Sequence, residues 1–215
     1  MTRQIILLVE GQTEEALVNQ VLAPAVAGDG VYLTPVPVQT SATGRGGGSW
    51  NHYDATLCRL LSQVHWWRVG LLIDYYQYPK RAPGSDSQGS AAERQQAMVE
   101  QLRATFPDPR FRPLVVMHEI EALVLAAIAA GQGEAIFPPN EVRRLKHVIE
   151  RAGGPEQVND GPSTSPSKRL LAAHPRYSKV VTGPRLVEEA GLDAVLERCP
   201  VFAAWWRELL DDRPE

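Results

Sequence analysis

Gln4-Ile5-Ile6-Leu7-Leu8-Val9-Glu10-Gly11-Gln12-Thr13-Glu14 is the stretch on which the fold turns. An unbroken leucine and β-branched run over residues 4–9 is the pattern of a strand buried on both faces, as in a parallel sheet. It stops at Glu10-Gly11. Thr13 is then placed to cap a helix with Glu14 and Glu15 in its first turn, where the helix dipole favours acids. Leu17, Val21 and Leu22 give that helix an apolar face.

The same rhythm continues along the chain. Residues 31–38 read as a second strand, which Pro35 and Pro37 demote to a sheet edge or shorten. A Gly-rich loop over residues 43–50 leads to a helix that starts at Asn51 or Asp54 and runs through Leu57, Leu60, Leu61 and Val64. Residues 68–73 form another buried strand ending at Asp74, followed by a polar surface loop over 75–90. A helix over 91–105 and a strand over 111–117 come next, and His118-Glu119-Ile120-Glu121 opens an Ala/Leu-rich helix. This alternation predicts an α/β fold: an open, mainly parallel sheet with right-handed crossovers and helices on both faces. Beyond about residue 131 the pattern turns helical, over 140–152, 187–192 and 194–210, with a further helix start at Ser165-Pro166-Ser167-Lys168-Arg169. The chain thus divides into an α/β core over 1–130 and a mostly helical C-terminal extension over 131–215 packed on that core.

Composition narrows the function classes. With 44% apolar and 22% charged residues the 215-residue chain is an ordinary globular sequence and not a disordered one. The net charge of −3 argues against a globally basic nucleic-acid coat while allowing a local basic patch. Cys58 and Cys199 are far apart and form no Cys-x-x-Cys, which excludes a disulfide framework and a thiolate zinc site and suits a reducing cytoplasm. The apolar run at the start is too short for a signal peptide, and the stretch 120–130 is too short to span a bilayer.

Ligands of open α/β sheets bind outside the carboxyl ends of the strands, so acids there are the informative ones. Glu10, Asp74, and Glu119 with Glu121 all follow predicted strands. Carboxylates gathered in this way are costly unless a cation joins them, and oxygen ligands suit Mg²⁺ or Mn²⁺. Glu14, one helical turn beyond Glu10, either adds a ligand or complements the helix dipole. Lys168 and Arg169 sit at a helix start, where cations and backbone N–H groups hold phosphate. Tyr177 and Lys179 are weaker candidates of that type. Arg45 lies among glycines that let a backbone approach phosphate. Lys80 and Arg81 follow Tyr75, Tyr76 and Tyr78, an aromatic and basic cluster whose rings either stack on bases or pack under the loop. Trp66, Trp67, Trp205 and Trp206 are expected in the core.

Val9-Glu10-Gly11-Gln12-Thr13-Glu14 resembles the opening motif of Toprim domains, especially those of OLD-type nucleases. Ile73-Asp74-Tyr75-Tyr76 with Pro79, His118 to Leu123, Asn159-Asp160-Gly161-Pro162 through Arg169, and Cys199-Pro200-Val201-Phe202 with Trp205 follow in order. Together, over nearly the whole chain, they resemble the bacterial domain-of-unknown-function family 4276, which is placed among Toprim-like proteins. The resemblance implies phosphodiester chemistry, with Glu10 as general acid, general base or metal ligand and Asp74 as a Mg²⁺ ligand. Tyr76 stands where the Toprim pattern has a second aspartate; either Glu119 or Glu121 substitutes, or the metal site is weakened or lost. Such relatives are often encoded beside an ABC-type or OLD-like ATPase. The expectation is therefore a cytoplasmic, Mg²⁺- or Mn²⁺-dependent nuclease acting on DNA or RNA. It would be the effector of an ATPase-linked anti-phage or toxin-like system, with Lys168 contacting phosphate. The alternative is a non-catalytic Toprim-like adaptor that binds a partner ATPase or nucleic acid.

Overall fold

The computed structural model describes residues 2–39, 48–76, 78–159 and 164–212. Its chain separates into two compact units. The first comprises Met1–Met117 with Ala204–Glu215, and the second His118–Ala203.

The first unit is the α/β part. Strands β1 (Arg3–Val9), β2 (Val31–Pro37), β3 (Arg68–Asp74) and β4 (Phe111–Val116) form one parallel sheet in the order β2-β1-β3-β4. β1 and β3 are central and carry the continuous apolar runs, as both-face burial demands. The two edges carry the prolines, Pro35 and Pro37 in β2 and Pro113 in β4, so no central ladder loses a donor.

The crossovers hold α1 (Gln12–Leu17), which continues through a π-helical turn (Val18–Leu22) into α2 (Ala23–Ala27), and then α3 (Trp50–Leu61) and α4 (Ala91–Thr105). Alternate strand residues Ile6, Leu8, Val69, Leu71, Ile73, Phe111 and Val115 pack with Tyr53, Leu57 and Leu60 of α3 and Met98 and Leu102 of α4. The opposite face receives the end of α10 (Pro200–Leu210). A Cβ at Gly70 would lie 2.5 Å from Leu7 Cδ1 and 3.6 Å from Leu209 Cδ1, so only glycine fits between its cross-strand neighbour and that helix. Trp205 Nε1 donates to Arg112 O at 3.1 Å, and Arg68 Nη2 donates to Asp211 O at 2.8 Å. Trp205 and Trp206 are buried, as the sequence suggests.

The second unit is helical: α5 (Ala122–Ala129), α6 (Pro139–Ala152), a 3₁₀ turn (Pro155–Gln157), α7 (Pro166–Ala173), α8 (Thr182–Ala190) and α9 (Leu192–Leu196). α6 buries Val142, Leu145 and Ile149, a single stripe at helical spacing, and stops at Gly153 with φ +89, a left-handed position that glycine adopts without a Cβ clash. Glu156 accepts the N–H groups of Val201 (3.0 Å) and Phe202 (2.9 Å) in the first turn of α10, which caps that helix. Among the described residues no helix is long and apolar enough to cross a membrane.

Candidate functional site

In the order β2-β1-β3-β4 the chain moves outward in opposite directions from the β1/β3 pair, and the crevice at such a reversal is where open α/β sheets bind ligands. Glu10 is the first residue past β1 and Asp74 is the last of β3. The β1/β3 register ends at Val9 with Leu72, so the two acids leave neighbouring strands within about one residue of the same level.

Tyr53 shares this end of the unit. It is 1% exposed, in the first turn of α3, with its ring parallel to Trp50 at 6.0 Å. Burial pushes its phenol far above the ordinary tyrosine value, and the fields of Glu10, Glu14, Asp74 and Tyr78 push it further. One buried hydroxyl therefore senses three carboxylates. In the sequence only the spacing of Tyr53 from Leu57 and Leu60 marks it, as part of the inward face of a helix. Tyr78 is pushed up by burial too, and its hydroxyl donates to Pro83 O at 3.0 Å.

Glu14 is buried and works as a cap. Its Oε2 accepts the Gly11 N–H at 2.9 Å, and Gly11 is the N-cap of α1. The expected cap, Thr13, lies inside the helix instead, because the longer Glu14 side chain reaches back over the first turn. Tyr76 is 49% exposed. Lys80 and Arg81 are exposed.

In the second unit, Glu119 and Glu121 are buried at 7% and 2% exposure. Glu119 Oε2 accepts the Ser167 N–H at 2.7 Å and Oε1 accepts the Ser167 hydroxyl at 2.9 Å. Ser165 is the N-cap residue of α7 as its position suggests, but its side chain makes no cap bond; Glu119 satisfies that helix end. Glu121 pairs with Lys179 at 2.8 Å. Burial raises the Glu121 carboxyl above its ordinary value, Lys179 opposes the shift and Glu119 adds to it. Tyr177 is 5% exposed, its hydroxyl has no hydrogen-bond partner, and burial followed by the fields of Glu121 and Glu119 raises it strongly. Lys168 is exposed, and Arg169 Nε donates to Thr164 O at 2.6 Å. Arg45 lies outside the described residues.

Among the described residues no three His, Cys, Asp or Glu side chains stand as a ready metal cage. A Zn²⁺ site, which needs three or four protein ligands, does not fit this arrangement. Mg²⁺ and Mn²⁺ ask less of a protein, one or two carboxylates with water and substrate phosphate completing the shell.

A family model described as "Domain of unknown function (DUF4276)" matches residues 9–210. No curated protein and no solved structure matches the chain.

Proposed function

This chain belongs to the DUF4276 family, and we propose that it is a metal-dependent phosphodiesterase acting on DNA or RNA. The observation that carries the reading is the placement of Glu10 and Asp74 on neighbouring strand ends at the sheet's order reversal, around the buried Tyr53. The Toprim-like motif Val9 to Glu14 supports it, since that resemblance assigns the same two acids to phosphodiester chemistry.

Asp74 and Glu10 would hold Mg²⁺ or Mn²⁺. A bound ion of this kind polarises a phosphoryl oxygen and acidifies water. Glu10, half-buried and at the strand end, is the group to take the proton of the attacking water. Tyr53 remains a neutral phenol at neutral pH, a hydrogen-bond donor among acids in place of a further negative charge. Glu14 fixes the turn that carries Glu10 by binding the Gly11 N–H. Lys80 and Arg81 contact nucleic-acid phosphate. Lys168 and Arg169 are phosphate-contact candidates of the second unit in their own right, and Arg45 is one on its sequence setting alone. We place the enzyme in the cytoplasm, as the effector of an ABC-type or OLD-like ATPase in an anti-phage or toxin-like system.

A second reading is a non-catalytic adaptor for that ATPase or for nucleic acid. Tyr76, at the place where the resemblance puts a second acid, favours it. The two readings separate on Mg²⁺ or Mn²⁺: an ion bound by the folded protein raises its thermal midpoint, and an adaptor shows no such rise. The cleavage assay uses labelled single-stranded and duplex DNA and RNA with either ion. Glu10→Gln should lower the cleavage rate at least about 100-fold at an unchanged thermal midpoint. Wild-type cleavage by that variant refutes the proposal.

A further inference from the structure

The loop after Asp74 sorts its tyrosines into different tasks. Tyr78 packs, half-buried, with its hydroxyl on Pro83 O. Tyr75 lies under Arg94, whose guanidinium carbon is 5.3 Å from the ring centre and whose Nη1 is fixed on Gly89 O at 2.6 Å. Tyr76 is 49% exposed, two residues past the strand-end acid.

The segment is held by successive turns: Ala82 N to Pro79 O at 3.1 Å, Ser85 N to Ala82 O at 3.0 Å and Ser87 N to Gly84 O at 3.0 Å. The first turn places Arg81 at its third position with φ +68, where glycine is the ordinary occupant. Arg81 is the one non-glycine residue with positive φ among the described residues. An exposed arginine in that conformation costs backbone strain that a glycine would avoid.

We infer that Tyr76, Lys80 and Arg81 form a recognition surface for unpaired nucleotides, so that the substrate class is single-stranded nucleic acid. In a duplex, neighbouring bases cover each base face; a single strand leaves faces open for an exposed ring, with cations tracking the backbone. Lys80 supplies a point charge and Arg81 a planar fork for phosphate. What happens after binding rests on the phosphodiesterase reading of Glu10 and Asp74; binding itself does not.

The test is fluorescence anisotropy with one short labelled sequence as single-stranded DNA, single-stranded RNA and DNA duplex. It is run on the wild type in EDTA and on Glu10→Gln with Mg²⁺. Single strands should bind at least about tenfold tighter than duplex. Tyr76→Ala should lose about tenfold for single strands, and Tyr76→Trp should retain affinity. Arg81→Gly should raise the thermal midpoint yet weaken binding and flatten its salt dependence, a combination that a purely structural arginine does not give. The DNA and RNA arms assign the sugar. Equal affinity for duplex and single strand, or unchanged single-strand binding by Tyr76→Ala, overturns this inference and leaves the Glu10 and Asp74 reading to the cleavage assay. No binding to any form overturns this inference too, and the cleavage assay with Mg²⁺ or Mn²⁺ alone decides the phosphodiesterase reading.

Discussion

Glu119 and Glu121 of the second unit and Glu10 and Asp74 of the first stand in different settings. Glu119 and Glu121 are buried inside the helical unit, where the Ser167 N–H and hydroxyl hold one and Lys179 holds the other. Glu10 and Asp74 stand at the open ends of neighbouring strands and, with Glu14, load their field onto a single buried phenol. A buried carboxylate fully engaged by its own chain is part of the architecture. On the reading proposed above, the carboxylates at the strand-order reversal serve a ligand bound outside the strand ends.

Activity separates the two pairs of acids most sharply. Asp74→Asn should lower cleavage at least about 100-fold with little effect on urea unfolding, whereas Glu119→Ala should unfold the protein more readily by about 3 kcal/mol. That cost comes from leaving the Ser167 N–H and hydroxyl buried without an acceptor. A stable Glu119→Ala protein would erase the contrast.

Lys179→Met should cost about 2 kcal/mol in urea unfolding, less than a fully enclosed pair because Lys179 is 39% exposed. Glu121 adds a pH signature. Its carboxyl is raised in the folded state, so the folded protein binds the proton over a range where the unfolded chain has released it. Stability contributed by that proton is lost as pH rises above the ordinary carboxylate value and through the raised folded-state one. Glu121→Gln should flatten this part of the stability profile; an unchanged slope would remove Glu121 as its source. The smallest effect is expected at Tyr177, whose buried hydroxyl has no partner. Tyr177→Phe should be neutral or stabilising by up to about 1 kcal/mol, and a loss would show that the hydroxyl has a use.

The sheet was legible in the sequence because its information is local. The apolar runs ending at Val9 and Asp74 announce central strands, and Pro35 and Pro37 announce an edge. The strand-end acids were legible for the same reason. Long-range pairings were not: nothing near Glu119 in sequence names Ser167, 48 residues away, and nothing near Glu121 names Lys179. The cap of α1 was misread because Thr13 and Glu14 both suit a helix start, and reach decided between them. Tyr53 was hidden by its type. A tyrosine on the inward face of a helix reads as core, and only the topology puts three carboxylates around it.

The proposed function requires that Glu10 and Asp74 hold one divalent ion. Calorimetric titration of Mn²⁺ into the wild type, Glu10→Ala and Asp74→Ala tests it directly. One site is expected in the wild type, lost in each variant while both variants stay folded. No binding to the wild type, or binding that persists in both variants, would contradict it.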